Sequence, residues 1–400
     1  MADMSVKQVF GKSVSVLPSA RQIDCDGVCF FVTSRQEEQI AARLVSRLSK
    51  IPTGKKVLEG LKKYRMPVCF ESSSGYGFYN AQKIVVNSRY SDDKVFSTLV
   101  HETRHMYQDK ECGIHYERND LDLKSQIMND RAKEADAQTW AIRASYELKT
   151  AGDAGPFNSF KSKSPEIFDE FQAGLAKSGG VLNKDVMTAA FMAWYDQTAL
   201  RAQYEKSYMT DSAAMDVQRV VMSPVLKSGS PVCYDKRPLK SLTSEQLLTA
   251  YASNYFSGDK KALESDKCLS VSRATKGMMS YAFNRTGRCY VDKSLTNLPV
   301  TDMPTARQHA QEKEIAQENN RIYAAALAVV AQKTNLKEDT LKALLACGEK
   351  QRADILKKQR NPVLTNGVTC LLNLQKVNKH IVSPNNLMAA ALVARQQQSR

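Results

Sequence analysis

The stretch that decides the fold and the chemistry of this chain is VHETRHMYQDKE, residues 100–111. It places His101 and His105 four residues apart, with Glu102 directly after the first histidine. Residues four apart lie on the same face of an α-helix, so both imidazoles can face one metal ion. Zinc accepts imidazole nitrogens and lowers the pKa of a bound water to about 7. The spacing therefore predicts a zinc site on a helix.

Glu102 has a different predicted role from the two histidines. It is turned by about 100° around the helix from His101, which places its carboxylate beside the ion, where it can take a proton from water. The apolar residues Val95, Leu99 and Val100 just before the motif indicate a buried helix. This context favours a hydrolytic metal site over a solvated helix with two incidental histidines. We interpret His101 and His105 as ligands of one zinc ion per chain and Glu102 as the general base.

The segments around the motif predict the order of helices and strands. PVCFES (67–72) and FYNAQKIVVNS (78–88) each predict one strand, and the second would be an edge strand able to hold an extended peptide. Ser91, Asp92 and Asp93 are typical of the start of a helix. Apolar periodicity predicts further helices over 37–50, 54–64, 125–152, 183–208, 312–332, 338–358 and 386–398.

These elements predict an α+β chain in four regions. A helical and extended lead-in covers residues 1–50, and the motif-bearing domain covers 51–210. Residues 211–300 are turn-rich and predict a linker with short elements. Residues 301–400 predict a basic, mainly α-helical C-terminal region.

Composition limits the class of protein and its compartment. The 42% hydrophobic and 25% charged fractions are ordinary for a soluble globular chain, and the longest apolar run, 322–331, is too short to span a bilayer. The N-terminus lacks the pattern of a Sec signal peptide. Nine scattered cysteines, an odd number, favour free thiols in a reducing compartment. We expect a cytoplasmic protein, although export without a signal would leave no mark of this kind.

The net charge of +15 is unevenly distributed. Residues 1–200 carry 27 Lys and Arg against 25 Asp and Glu, whereas residues 201–400 carry 30 against 17. Cation sites need carboxylates and nucleic-acid surfaces need basic side chains. The basic half motivates an alternative to the enzyme: a regulatory or effector protein that binds a protein partner, nucleic acid or another anionic partner without proteolysis.

A family resemblance adds to these patterns. The run SRYSDDKVFSTLVHETRHMYQD (88–109), preceded by GYGFYNAQKIVVN (75–87), resembles the core of zincin metallopeptidases, with a sheet, an edge strand and then the active-site helix. It is similar to bacterial metallopeptidase domains of undescribed function. The resemblance covers about residues 50–210 and implies a zincin-like domain, zinc as cofactor and a peptide or protein as substrate.

The resemblance also bears on the third metal ligand. In the gluzincin pattern a glutamate on the next long helix binds the ion, and the EADA run resembles that helix, so the resemblance implies Glu134 as the third ligand. The family's aspartate four residues later is replaced here by Gln138. The metzincin pattern needs glycine and histidine at positions 108 and 111, where this chain has Gln108 and Glu111. Glu111 and His115 remain alternatives.

The supporting residues of the site are left open by the sequence. Asp130 or Asp136 is a candidate for fixing the tautomer of a histidine ligand. The candidates for stabilising an oxyanion are Tyr76, Tyr79, Tyr195, Arg201 and Tyr204, and none is assigned that role.

Overall fold

The computed structural model describes residues 5–72, 75–113, 121, 123–209, 260–277, 299–300 and 308–379. The chain forms two compact units. The first unit comprises residues 1–118, 129–197 and 243–264, and the second comprises 119–128, 198–242 and 265–400. Helices and strands are mixed in the first unit, which confirms the predicted α+β class.

The described part of the chain contains seven strands, all between residues 5 and 86. They are β1 (Ser5–Val9), β2 (Lys12–Val16), β3 (Arg21–Cys25), β4 (Val28–Val32), β5 (Val68–Phe70), β6 (Gly77–Asn80) and β7 (Lys83–Val86). β1 and β2 form an antiparallel hairpin, and the other five form one sheet in the order β3-β4-β5-β7-β6. β4, β5 and β7 are parallel neighbours, while β3 and β6 are the antiparallel edges. Two strands of this sheet precede residue 51, and the predicted domain limits of 51–210 stay a prediction.

The segment FYNAQKIVVNS was wrongly predicted as a single strand. It forms part of a hairpin, with β6 antiparallel to β7. The side-chain oxygen of Asn80 accepts hydrogen bonds from the backbone N–H groups of Gln82, at 3.2 Å, and Lys83, at 2.9 Å. An asparagine that bonds its own following backbone in this way stabilises a tight turn. As a result β7 lies inside the sheet, and β6 alone is the edge strand.

Seven of the described helices lie between residues 35 and 194. They are α1 (Arg35–Ser49), α2 (Pro52–Lys63), α3 (Asp92–Lys110), α4 (Leu123–Thr150), α5 (Gly155–Lys163), α6 (Pro165–Lys177) and α7 (Lys184–Trp194). α3 carries the motif and packs against β6, β7, α2 and α5. Its residues Val95, Phe96, Leu99, Val100 and Met106 are at most 1% exposed. Full burial of each larger apolar side chain contributes about 1.5–3 kcal/mol, which anchors the helix against the sheet.

The long helix predicted over 183–208 is interrupted. α7 ends at Trp194, and the next helix, α8, covers 198–209. In the turn between them the N–H groups of Tyr195, Asp196 and Gln197 each donate to the carbonyl three residues earlier. Such i to i−3 bonds tighten and end an α-helix. No glycine or proline marks this break, so apolar periodicity alone did not reveal it.

The remaining described helices follow residue 259. They are α9 (Lys260–Glu264), α10 (Asp266–Leu269), α11 (273–277), α12 (Gln308–Thr334), α13 (Glu338–Ala346), α14 (Glu349–Gln359) and α15 (Pro362–Lys379). The single helix predicted over 338–358 is wrong, because Cys347 and Gly348 have extended backbones and separate α13 from α14. Arg352 donates to the carbonyls of Leu345 and Cys347 and satisfies the end of α13. The helix predicted over 386–398 lies outside the described residues.

The C-terminal helices share a hydrophobic core of their own within the second unit. It includes Leu327, Val330, Leu341, Leu364 and Leu371, all buried. Among the described residues, none of the helices combines the length and apolar character needed to cross a membrane.

Candidate metal centre

The motif residues lie in the middle of α3, where the helix is covered on nearly every side. His101 and Glu102 are each 7% exposed and His105 is 2% exposed. Buried polar side chains need hydrogen-bond or ionic partners, because leaving water without compensation is costly. The partners of these three residues therefore show which chemistry the site can support.

The two histidines converge on one point. Nε2 of His101 and Nε2 of His105 are 3.0 Å apart, and the two rings meet edge to face with their centroids 4.6 Å apart. A carboxylate oxygen of Glu102 lies within 4.8 Å of both histidine donors. The four-residue spacing on a helix thus produces the shared face that the sequence predicted.

Glu134 reaches this point from the neighbouring helix α4. Its Oε2 lies 3.4 Å from Nε2 of His101, and its Oε1 lies 3.4 Å from Nε2 of His105. Glu134 itself is 9% exposed. One carboxylate therefore faces both imidazoles, and it comes from 29 residues further along the chain than His105.

The charges of these groups are coupled. Burial raises the pKa of Glu134, but the adjacent His105 and His101 outweigh burial and hold that pKa well below its usual range. Burial lowers the pKa of His105, but Glu134 outweighs it, so this pKa is raised. Both directions favour a negative carboxylate beside a cation at the imidazoles.

Glu102 differs from Glu134 in its surroundings. Burial raises the pKa of Glu102, and the nearby histidines only partly oppose that rise. In the part of the chain that the structure describes, the Glu102 carboxylate makes no hydrogen bond. A carboxyl group with a raised pKa and a free oxygen is suited to proton exchange.

The orientation of His105 is set by Gln108. The side-chain oxygen of Gln108 lies 2.8 Å from Nδ1 of His105, and its side-chain nitrogen donates to the Lys133 carbonyl at 3.0 Å and to Oδ2 of Asp136 at 2.8 Å. Because both acceptors require the amide nitrogen, the amide oxygen must face His105. Nδ1 therefore carries the proton, and Nε2 keeps its lone pair for the shared point.

Asp136, on α4, links Gln108 to Arg104. Its two oxygens accept hydrogen bonds from Arg104 Nε at 2.6 Å and Nη2 at 3.2 Å. The Arg104 guanidinium also lies 4.5 Å from the ring centre of Trp140. All four side chains of the path from Arg104 through Asp136 and Gln108 to His105 are at most 2% exposed. A fully paired buried network of this kind holds its members rigidly.

This donor set fits a divalent cation. Two imidazole nitrogens 3.0 Å apart must share a proton or a metal cation, because two facing lone pairs repel each other, and the Glu134 carboxylate supplies negative charge beside either one. Two histidines and one glutamate are a ligand set of catalytic zinc sites with an open fourth position. His101, His105 and Glu134 are the residues able to hold such an ion.

The other candidates from the sequence lie elsewhere. Glu111 contacts Lys63, and this ion pair lowers the pKa of Glu111. Asp130 pairs with Lys133 at 3.3 Å. Asp136 is connected to His105 through the Gln108 side chain. His115 lies outside the described residues.

Most of the side chains considered for stabilising an oxyanion pack against or pair with other side chains. Tyr79 donates to Asp109 at 2.5 Å, and Tyr195 is buried against Phe191 and Trp194. In the second unit, Arg201 faces Glu205 at 3.9 Å, and Tyr204 stacks on Tyr208. Tyr76 is 36% exposed and has two lysines near its ring.

Sequence reasoning missed three residues around the site: Arg104, Gln108 and Lys163. Gln108 lies three residues after His105, and this spacing places two side chains together on a helix. That signal was available, although Gln108 was considered only as a departure from the metzincin pattern. Lys163 carries no signal in the local sequence, because it reaches this region from α5.

A buried His-Glu-His cluster on one helix is typical of metal-dependent hydrolases. Residues 20–222 match the model of the family described as "Putative metallopeptidase family (DUF6782)", and this is just over half of the 400 residues. The chain belongs to this family. No curated protein and no solved structure matches this chain.

Proposed function

We propose that this protein is a zinc-dependent peptidase with a zincin-like domain, in which His101, His105 and Glu134 hold the ion. The observation that carries the proposal is the convergence of two Nε2 atoms 3.0 Å apart with both oxygens of Glu134 at 3.4 Å. Imidazole and carboxylate donors in this number favour zinc over calcium or magnesium, which take oxygen ligands. The metallopeptidase family supports peptides as substrates.

The bound ion would act as a Lewis acid. It would polarise the scissile carbonyl and lower the pKa of water to about 7. Glu102 would accept a proton from the attacking water and pass it to the leaving amine nitrogen. Its raised pKa, caused chiefly by burial, suits both halves of this transfer. Gln108 would keep the proton of His105 on Nδ1, so that Nε2 faces the site throughout the reaction.

The edge strand β6 would hold the substrate. It has β7 on one side, and its other side pairs with no strand among the described residues. Such an edge presents unpaired backbone groups, to which an extended peptide can add as a further strand. β6 also packs against α3, the helix that carries the histidines. A peptide bound along β6 would therefore run beside the metal site.

The experiment that tests this function compares wild type with Glu102→Gln. Both proteins are loaded with zinc, their metal content is measured by elemental mass spectrometry, and a library of internally quenched peptides is used as substrate. We expect Glu102→Gln to keep its zinc and to lose cleavage by about 100-fold or more, because proton transfer by a positioned base contributes factors of this size. Glu111→Gln is the matched control, at the residue directly after the same helix, and it should cleave normally. Cleavage by Glu102→Gln at the wild-type rate would exclude the mechanism.

The alternative function, a protein that binds a partner without proteolysis, has less support. The anionic partner suggested by the charge of residues 201–400 stays a prediction, since neither the family nor the described helices of that half favour it.

A further inference from the structure

A cluster of two lysines and two tyrosines lies at the start of the motif helix. We call it the lysine–tyrosine cluster: Tyr76, Tyr90, Lys94 and Lys163. Nζ of Lys163 lies 4.4 Å from the centre of the Tyr76 ring, and Nζ of Lys94 lies 5.8 Å from the same centre. Nζ of Lys94 is also 5.6 Å from the centre of the Tyr90 ring. Two positive charges therefore lie near one aromatic ring.

Neither ammonium group has an anionic partner in the part of the chain that the structure describes. Contacts with aromatic faces stabilise a cation by about 0.5–2 kcal/mol, less than a hydrogen-bonded carboxylate would. Two like charges near each other also repel. Among the described residues the cluster therefore has no carboxylate in direct contact, and an anionic ligand would supply one.

The cluster is held in place by contacts on both sides. Asn87, which is buried, donates its backbone N–H to the Tyr76 carbonyl at 2.9 Å and its side-chain amide to the Gly75 carbonyl at 3.1 Å. Arg47 pairs with Asp93, next to Lys94, and with Asp153, just before α5. The Asn87 contacts hold the segment before β6 against the end of β7, and the Arg47 contacts hold the start of α3 near the start of α5.

The electrostatic environment of Lys163 supports a link to the metal centre. The pKa of Lys163 is lowered to about 8, chiefly by burial; Lys94 contributes to this fall, whereas Glu102 and Glu134 oppose it. The charge of Lys163 in turn lowers the pKa of Glu102. Lys163 is therefore near enough to the two glutamates of the site for their charges to interact.

The cluster also lies along the path of a peptide bound to β6. Tyr76 directly precedes β6, and Lys94 lies seven residues before His101 on the same face of α3. Seven residues of helix rise about 10 Å, and an extended peptide covers that distance in about three residues. Thr98, between Lys94 and Glu102 on the helix, has a buried hydroxyl without a partner among the described residues.

We propose that Tyr76, Lys94 and Lys163 form a subsite that binds a carboxylate of the peptide substrate, about three residues from the scissile bond. This inference rests on the proposed peptidase function and names its substrate class: peptides with an acidic group at this distance. The carboxylate belongs either to an Asp or Glu side chain or to the chain terminus of the substrate. Tyr76 positions the two ammonium groups, which bind the carboxylate.

The test measures peptide binding separately from cleavage. The protein is the full chain carrying Glu102→Gln, loaded with zinc, so that bound peptides are not consumed. The probes are fluorescent alanine-based hexapeptides with a single Glu at each position and an amidated C-terminus, together with the matching Gln set. A third set has no acidic side chain and a free C-terminal carboxylate. Fluorescence polarisation gives the Kd of each probe.

We expect one Glu position, or the free terminus, to bind about tenfold more tightly than its uncharged match, the effect of one charged hydrogen bond. Lys163→Met and Lys94→Met should each reduce this preference to about twofold or less, while Lys163→Arg should retain it. Lys161→Met is the matched control on α5, where Lys161 is exposed, and it should not change the preference. Preference for Glu assigns an acidic side chain, and preference for the free terminus assigns a terminal carboxylate.

Three results would overturn the subsite: equal binding of charged and uncharged probes, a preference that survives both methionine substitutions, or no binding of any probe. The peptidase proposal is judged separately by cleavage with unsubstituted Glu102. Cleavage without carboxylate preference contradicts the subsite alone. Lysine-dependent binding of carboxylate peptides without any cleavage by wild type contradicts the peptidase alone.

Discussion

The side-chain oxygen of Gln108 accepts the Nδ1 proton of His105 over 2.8 Å. This contact joins the motif helix to Asp136 on α4, since the Gln108 amide nitrogen donates to that carboxylate. The residue that departs from the metzincin pattern is thus the residue that orients a proposed metal ligand. It makes the position of His105 depend on how α3 and α4 pack.

Gln108→Leu tests this orientation. The substitution leaves Nδ1 of His105 without an acceptor and one bond of Asp136 unmade, so we expect zinc affinity to fall about 10- to 100-fold, the usual effect of losing a group that orients a ligand. Competition with a chromophoric chelator measures the affinity.

Gln138→Leu is the control for a buried glutamine. Gln138 lies on α4, is buried, and its side-chain oxygen has no partner among the described residues. Its replacement should leave zinc affinity unchanged. Equal losses in the two variants would mean that Gln108 acts only through general stability.

The third ligand is tested by a pair of glutamate substitutions. Glu134→Ala removes the carboxylate that faces both Nε2 atoms, and we expect zinc content to fall from one ion per chain to nearly none, as for His105→Ala. Glu111→Ala removes a carboxylate that pairs with Lys63 and should retain one zinc. Elemental mass spectrometry of the purified proteins decides between them. Zinc lost from Glu111→Ala and kept in Glu134→Ala would reverse the assignment.

A substitution at Gly77 tests how closely the edge strand β6 packs against β7 and α3. A Cβ at this position would lie 2.4 Å from the carbonyl oxygen of Val85 and 2.7 Å from a methyl group of Thr98. Gly77→Ala must therefore move β6 away from β7 or α3, and overpacking of this kind costs about 1–3 kcal/mol. We expect a lower midpoint in urea unfolding and slower peptide cleavage.

Gly75→Ala is the matched control, because a Cβ there meets no atom within 4 Å. It should unfold and cleave like wild type. A Gly77→Ala protein indistinguishable from this control would show that the approach of β6 to α3 is looser than the contacts indicate.

The titration of Lys163 provides a test by pH. Burial lowers its pKa from 10.5 to about 8 in the folded chain, while Lys94, Glu102, Glu134 and the Tyr76 ring surround it. Between pH 8 and 10.5 the unfolded chain binds the proton that the folded chain has released, so stability rises with pH in this window. Relative to Lys163→Met, metal-free wild type should become more stable as the pH rises from about 8 to 10.5.

Nuclear magnetic resonance of the lysine side chains checks the same shift directly. One lysine signal of the metal-free protein should titrate near pH 8, disappear in Lys163→Met and persist in Lys161→Met. If every lysine titrates near the ordinary value of about 10.4, Lys163 is more solvated than its burial indicates.

Local patterns were sufficient for much of the fold. The apolar face of α1, the proline-started α2 and the acidic start of α3 all follow from short-range rules, because the interactions that form a helix lie within four residues. The same rules failed at the 195–197 turn and at Cys347 and Gly348, where the chain changes direction although periodicity continues. Packing of neighbouring elements overrides weak helix propensity at such points.

The hairpin of β6 and β7 shows a second kind of limit. β-branched and aromatic residues on both sides of Ala81 and Gln82 predicted extended backbone correctly, but not its reversal. The reversal depends on the Asn80 side chain bonding to the next backbone groups. This bond makes Gly77–Asn80, rather than the whole segment, the edge of the sheet.

The sequence by itself determined that His101, Glu102 and His105 share a helix and that two of their side chains share a face, because four residues make about one helical turn. Glu134 was implied by family resemblance alone. Only the tertiary structure brings Glu134 within 3.4 Å of both imidazoles, makes Gln108 the partner of His105, and places Lys163 over Tyr76. These contacts join residues far apart in the chain, and they depend on how buried surfaces fit together, which no local spacing encodes.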